Sequence, residues 1–253
     1  MKILTAVPVY NEERHVHRVL DAIAPLADDL LVVDDGSSDQ TPQMLLQRAD
    51  IYHIQHPTNL GYGAALNSAF QFALEGGYDA LITLDCDGQH QPSFLPQFRQ
   101  AITQADIVSG SRYLQDFSAD SHAPQDRRAI NRTITNQLND LFDWNLTDAF
   151  CGYKAYSAKA MSQFHITELG YAMPLQLWAQ AYAAGLRIQE IAVPRIYTDE
   201  KRSFGGSLDD SALRLNHYRG VLQESLRELG LEEQHLVPVA GDCNPQSSCG
   251  CNC

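Results

Sequence analysis

Short apolar runs alternate with helical patterns along the first half of this chain, and that alternation restricts the fold more than any other feature. Ile3 to Val7, Leu30 to Val33, Ile51 to Gln55, Tyr78 to Leu84 and Ala105 to Ser109 read as buried strands. Between them, Glu12 to Ala24 carries Val16, Val19, Leu20 and Ile23 at helical spacing. Thr41-Pro42 opens a short helix, Gly61 to Glu75 forms a third, and Pro92 to about Gln104 a fourth. Strands alternating with helices predict parallel pairing, helices on both faces of the sheet and right-handed crossovers. Ligands of such sheets gather at the carboxyl ends of the strands. Those ends hold Val7-Pro8-Val9-Tyr10, Asp34-Asp35, Asp85-Cys86-Asp87 and Gly110-Ser111-Arg112.

The second half is less regular. Leu114 to Gln125 is polar, contains Pro124 and reads as a mobile loop. A helix follows from Asp126 to Phe142, with Ile130, Ile134, Leu138 and Leu141 on one face. Phe150 to Tyr156 reads as an antiparallel strand, Leu175 to Ala184 as a helix and Leu186 to Val193 as a strand. Pro194 to Ser207 is a long polar loop, and Leu208 to Leu229 the last helix. No repeat or linker divides this body, so one α/β domain is expected over residues 1–229, with a Cys-rich, disordered tail over 230–253.

Composition excludes several classes. A net charge of −13 argues against a general nucleic-acid binder and against charge-driven attachment to anionic lipid. No apolar run reaches the length of about 18 residues that a membrane-crossing helix needs. The first residues read as a strand rather than a leader peptide. A cytoplasmic protein is expected, and the single thiols Cys86 and Cys151 suit a reducing compartment. Cys243, Cys249, Cys251 and Cys253 crowd the tail, where either disorder or capture of a soft metal fits the pattern.

Asp85 and Asp87 are one residue apart at a strand end, so their carboxylates can share a target. Two hard anionic oxygen donors beside Gly88 suit Mg²⁺ or Mn²⁺ holding a phosphorylated substrate. Pro8 and Tyr10 offer a flat apolar surface for a nucleobase, and Asp35 can accept from a ring N–H. Asp34 and Asp35 also suit turn capping, which one of them is expected to do. Glu12 fits either a first-turn charge or a neighbour of the nucleotide. Arg112 offers a fork of donors to phosphates. His90 can ligate a metal or orient a neighbour, and Cys86 packs inward between the two acids.

Taken together, Pro8-Val9-Tyr10-Asn11-Glu12-Glu13, Val33-Asp34-Asp35-Gly36-Ser37-Ser38-Asp39, Asn59-Leu60-Gly61-Tyr62-Gly63-Ala64-Ala65, Asp85-x-Asp87-x-Gln89-His90-x-Pro92 and Gly110-Ser111-Arg112-Tyr113 resemble a family 2 glycosyltransferase. The Gln-His-x-Pro extension is most similar to the dolichyl- or polyprenyl-phosphate hexosyltransferase branch. The resemblance implies a GT-A fold with a smaller acceptor-side subregion, a GDP- or UDP-hexose donor, a divalent metal and inversion at the sugar carbon. It implies a metal held by Asp85, Asp87 and Gln89, and a nucleoside contacted by Asp35, with Asp34 second. The implied acceptor is a polyprenyl phosphate, reached by peripheral contact at the inner membrane face or through a membrane partner protein.

The acceptor side departs from the pattern in two places. Gly170-Tyr171-Ala172-Met173-Pro174-Leu175 lacks the acid that hydroxyl-transferring relatives place there as a base; Glu168 is the nearest. Arg202-Ser203-Phe204-Gly205-Gly206-Ser207 resembles a phosphate-gripping loop, but Leu208 stands where that branch usually has Lys. Lys201, Arg202 and Ser207 are therefore the expected acceptor contacts. Asp148 is expected to position the acceptor, or to act as base if the acceptor is a hydroxyl. A nucleotidyltransferase and a non-catalytic nucleotide-sugar binder are the competing classes. The first usually carries a Gly-rich basic signature after the opening strand, where this chain has Pro-Val-Tyr-Asn-Glu-Glu.

Overall fold

The computed structural model describes residues 1–118, 120–197 and 206–231, and only the backbone of Ser207. Lys201, Arg202 and the four tail cysteines lie outside the described residues, as does the expected tail beyond Leu231. Among the described residues the strands are β1 (Ile3–Val9), β2 (Asp29–Asp34), β3 (Tyr52–Gln55), β4 (Ala80–Thr83), β5 (Ile107–Ser111), β6 (Lys154–Ser157) and β7 (Ile188–Ala192). They form one sheet in the order β3-β2-β1-β4-β6-β5-β7. All pairs are parallel except those of β6, which runs antiparallel to both β4 and β5.

Helices cover both faces because the central strands are apolar on both. Along β1, Leu4 and Ala6 enter one core while Ile3, Val7 and Val9 enter the other, as the two-residue strand period requires. The core holding Ile3, Val7 and Val9 packs α1 (Val16–Ile23), α2 (Thr41–Leu46) and α4 (Leu95–Ala101) around Leu20, Val32, Ile82 and Phe98. The other packs α3 (Tyr62–Glu75), α5 (Gln125–Phe142), α6 (Ala158–Gln163), α7 (Met173–Ala183) and α8 (Ser211–Glu228) around Leu31, Leu81, Ile134 and Trp178. No helix among the described residues is long and apolar enough to cross a membrane.

Three local outcomes differ from the sequence expectation. The first helix starts at Val16, because Asn11 takes φ 55° and a turn closes from the His15 amide to the Glu12 carbonyl. A short helix, α6, follows β6 directly, capped by the Ser157 side chain accepting from the Ala160 amide. The loop after β5 is stitched down. The Ser121 amide donates to the Arg195 carbonyl at 2.8 Å, the Arg195 amide donates to Asp120 Oδ1 at 2.7 Å, and the Tyr197 amide donates to Ser121 Oγ at 2.6 Å.

The strand order reverses direction beside β1, so the carboxyl ends of β1, β2 and β4 face a common crevice. Its far wall comes from the segment before β6, from α5 and from the start of α7 and α8.

Candidate active site

A cleft of about 860 Å³ opens at this crevice. It is lined by Pro8 at the end of β1, Tyr10 and Glu12 after it, Asp35 after β2, Asp85, Cys86, Asp87 and Gln89 after β4, and Arg112 after β5. The strand ends thus bring most of the sequence-predicted site into one cavity.

The Asp85 side chain is about one-third exposed, at 32%, and Asp87 is nearly buried. Asp87 Oδ1 accepts from the Gln89 amide at 2.9 Å, which folds Gln89 back beside the two acids. The Asp85 amide donates to His90 Nδ1 at 2.9 Å, and His90 Nε2 lies 3.9 Å from Cys151 Sγ. Burial opposes charge on His90, but Asp85, Cys151 and Asp87 outweigh it and lift the imidazole to about 9. The bond from the Asp85 amide nevertheless requires a lone pair on Nδ1, so the geometry seen is that of the neutral ring. His90 does not line the cleft; it buttresses the strand end. Gly152 lies so close that a Cβ there would sit 2.6 Å from Asp85 Oδ2, which leaves the carboxylate no room for a side chain opposite.

These donors fit a hard divalent ion. Asp85 and Asp87 supply carboxylate oxygens, Gln89 an amide oxygen, and all three border the cleft. Among the described residues no group of three or more His, Cys, Asp or Glu side chains is arranged around a metal position. A two-carboxylate platform completed by substrate phosphates is the arrangement Mg²⁺ usually takes.

The two acids after β2 separate by role. Asp34 is fully buried, caps the turn by accepting from the Ser37 amide at 2.9 Å, and does not line the cleft. Asp35 borders the cleft but is also heavily used by the fold. It accepts from His56 Nδ1 at 2.7 Å, the Leu60 amide at 2.9 Å and the Gly61 amide at 2.8 Å. Asp35 therefore shapes the pocket wall by pinning residues 56–61, and a base N–H would be one partner among several. Glu12 is buried and lies 2.8 Å from His15 Nδ1. Tyr10 is 44% exposed beside Pro8, an open flat surface at the cleft edge. Cys86 is buried in the core on the α1 side.

Asp148, expected to position the acceptor or to act as base for a hydroxyl, does not line the cleft among the described residues. It is fully buried and accepts from Arg112 Nε at 2.7 Å, Arg112 Nη2 at 3.0 Å, Asn131 Nδ2 at 2.8 Å and the Phe150 amide at 3.1 Å. Burial pushes its pKa up, but the Arg112 charge and hydrogen bonds prevail and hold it down at about 2. A carboxylate so held is a poor proton acceptor; its geometry is that of a clamp orienting Arg112. Glu168 does not line the cleft either, and its Oε1 accepts from the Gly170 amide at 2.8 Å.

Four residues to which the sequence reading gave no role also reach the cleft. Tyr62 places its hydroxyl 3.4 Å from Asp85 Oδ1. Lys154 is buried, donates to Ser109 Oγ at 2.6 Å and has its pKa lowered by burial. Arg127 lines the cleft from the first turn of α5. Arg214, also buried, donates to the Leu208 carbonyl at 2.7 Å and to Asp126 Oδ2 at 2.5 Å. The spacing Arg214-x-x-x-Tyr218 was the available signal, but a cation inside an amphipathic helix ordinarily reads as solvated.

Charge is sorted across the cavity. Up to Gln89, the described lining holds Glu12, Glu13, Asp35, Asp39, Asp85 and Asp87 against one cationic side chain that is always charged, Arg14. From Arg112 onward it holds Arg112, Arg127, Lys154 and Arg214 and no carboxylate. Behind that lining Arg112 is paired with Asp148 and Arg214 with Asp126.

Comparison with known proteins agrees with this architecture. A mycobacterial glucosyl-3-phosphoglycerate synthase (Mycobacterium tuberculosis) superimposes with a TM-score of 0.67 at 18% identity, covering 88% of this chain and 79% of that one. The mannosyl-3-phosphoglycerate synthase of Rubrobacter xylanophilus gives 0.66 at 13% identity, covering 97% and 79%. These show the fold. An undecaprenyl-phosphate mannosyltransferase of Micrococcus luteus is 30% identical, covering 86% of this chain and 94% of the relative. A polyprenol monophosphomannose synthase of Mycolicibacterium smegmatis is 28% identical, covering 76% of each. Residues 5–164 match the profile of glycosyl transferase family 2, which spans the carboxyl ends of β1 to β6 and both Asp85 and Asp87. With the GT-A strand order, the paired acids and that match in agreement, the chain belongs to glycosyltransferase family 2.

Proposed function

We propose that this enzyme transfers a hexose from a nucleoside diphosphate sugar, GDP- or UDP-linked, to a polyprenyl phosphate. The observation that carries the acceptor assignment is the described lining from Arg112 onward, which offers four cations and no carboxylate. A hydroxyl acceptor needs a base to take its proton. A phosphate monoester has a second pKa near 6, is mostly dianionic at neutral pH and needs cations instead. The relatives named above support the same acceptor class.

In this reading Pro8 and Tyr10 hold the base, and Glu12 and Asp35 shape its pocket. Asp85, Asp87 and Gln89 would hold Mg²⁺ or Mn²⁺, which would supply positive charge to the departing diphosphate. Arg112, fixed by Asp148, presents its remaining guanidinium edge to phosphate. A phosphate oxygen of the acceptor attacks C1 of the hexose as the bond from C1 to the diphosphate oxygen breaks. The bonding pair leaves on the nucleoside diphosphate, and a single displacement inverts C1. Lys201, Arg202 and Ser207 are assigned to the acceptor phosphate on sequence alone. The lipid is assigned to peripheral contact at the membrane or to delivery through a membrane partner protein.

The test is incubation with a panel of nucleotide sugars and Mn²⁺, with and without polyprenyl phosphate. Release of nucleoside diphosphate that depends on the lipid phosphate and is abolished by EDTA is the expected result. Release of pyrophosphate would identify a nucleotidyltransferase instead. Lipid-dependent release that persists undiminished in EDTA would remove the metal from the reading.

A further inference from the structure

The stretch Asn59-Leu60-Gly61-Tyr62-Gly63, which opens α3, has no chemical role in the reading above, yet the fold fixes it from both sides. On one side Asp35 accepts from the Leu60 and Gly61 amides. On the other, the Leu169 carbonyl accepts from the Gly63 amide at 2.8 Å. The approach leaves no room for side chains. A Cβ on Gly61, which takes φ 108°, would sit 2.2 Å from the Leu169 oxygen, and one on Gly63 would sit 2.4 Å from the Glu168 oxygen. Tyr62 is thus held between two glycines that admit residues 168–169 against the start of α3. Tyr171, just beyond that contact, meets it with ring centroids 6.0 Å apart and planes 20° from parallel.

The place of this pair beside the metal platform decides what it can do. The Tyr62 hydroxyl lies 3.4 Å from Asp85 Oδ1, and both tyrosines line the cleft. A nucleotide sugar laid along the strand ends has its base at Pro8 and Tyr10 and its diphosphate at Asp85 and Asp87. The hexose is the next group along, between Asp85 and the cations assigned to the acceptor. Tyr62 and Gly152 both reach the Asp85 carboxylate, and Gly152 brings no side chain. A pyranose carries polarised C–H bonds on one face, which suit the negative face of an aromatic ring. Its rim carries hydroxyls, which suit a phenol and a carboxylate.

Resting on the donor class assigned above, we propose that Tyr62 and Tyr171 form the subsite for the donor's hexose. The C–H face of the sugar packs on the tyrosine rings, while the Tyr62 hydroxyl and Asp85 take hydroxyls at its rim. Tyr171, 41% exposed, bounds the outer edge of the subsite. The pair recognises the sugar and not the nucleoside diphosphate. Because Tyr171 lies beyond residues 5–164, the sugar preference is set partly outside the segment that matches the family profile.

The experiment measures dissociation constants by calorimetry in Mn²⁺, without acceptor, for GDP- and UDP-linked glucose, mannose and galactose and for free GDP and UDP. The ratio between a nucleotide sugar and its own free diphosphate isolates the hexose. Tyr171→Ala is expected to weaken the bound nucleotide sugar about tenfold relative to the diphosphate, and Tyr62→Phe about fivefold. Free diphosphate binding and the melting temperature should stay near wild type in both. Should Tyr171→Ala unfold, Tyr62→Phe, which keeps the ring, carries the test. An unchanged ratio in a folded variant overturns the subsite. An equal loss for nucleotide sugar and free diphosphate also overturns it, and would make Tyr62 a support for the metal ligands. Wild-type protein that binds none of these nucleotide sugars overturns the donor class itself.

Discussion

Asp148 and Asp87 are carboxylates that burial and partners have turned to different uses. Asp148 has its pKa held at about 2 by Arg112, below the unfolded value of about 3.9. A depressed pKa contributes stability that is present above the unfolded value and lost as pH falls toward the folded one. Urea unfolding should therefore show a loss of about 2 kcal/mol between pH 5 and pH 2 that is absent from Asp148→Asn. Equal pH dependence in that variant would show that the ion pair is not what holds the carboxylate down. Asp87→Asn, by contrast, should leave stability near wild type and lower turnover by roughly a hundredfold, the scale of losing one strong electrostatic stabiliser. Residue identity made the acids of the platform legible, because two carboxylates at a strand end are short-range information. It could not show that Asp148 is enclosed by Arg112 and Asn131, since those partners lie 36 and 17 residues away in the chain.

Among the elements, the strands were the most readable, because runs such as Leu30-Leu31-Val32-Val33 are buried on both faces and cannot alternate with polar residues. The short helix α6 was not, since six residues hold too little of a helical period to register; its Ser157 cap was the one local sign. The polar segment after β5 read as mobile because its anchor, Arg195, lies some 75 residues further on, as the separations of 74 and 75 between the paired residues show. Helix α8 depends on a cap that sequence does offer: Asp210 accepts from the amides of Ala212 and Leu213, both at 2.9 Å. Asp210→Ala should cost about 1 kcal/mol in thermal or urea unfolding. Because α8 carries Arg214 and Tyr218 into the cleft, the same variant should weaken acceptor use more than donor binding. A variant that loses both equally would place α8 outside the acceptor half.

For the molecule as a whole, the distribution of charge matters more than its sum. A chain of net charge −13 nevertheless brings Arg112, Arg127, Lys154 and Arg214 to one cleft, whose described lining from Arg112 onward holds no carboxylate. Sequence alone showed the acidic total and the paired acids, while the cationic half emerged only when α5, α8 and the segment before β6 were brought together. Association with an anionic acceptor should accordingly weaken as salt rises, since attraction across this cleft is screened over about 8 Å at physiological ionic strength. The most direct test of the central claim compares two acceptors that differ in one group, using the wild-type protein, its preferred nucleotide sugar and Mn²⁺. Transfer to the polyprenyl phosphate with none to the matching polyprenol is the predicted result, because no carboxylate among the described lining residues from Arg112 onward is placed to take a hydroxyl proton. Equal transfer to the phosphate and the alcohol would contradict it.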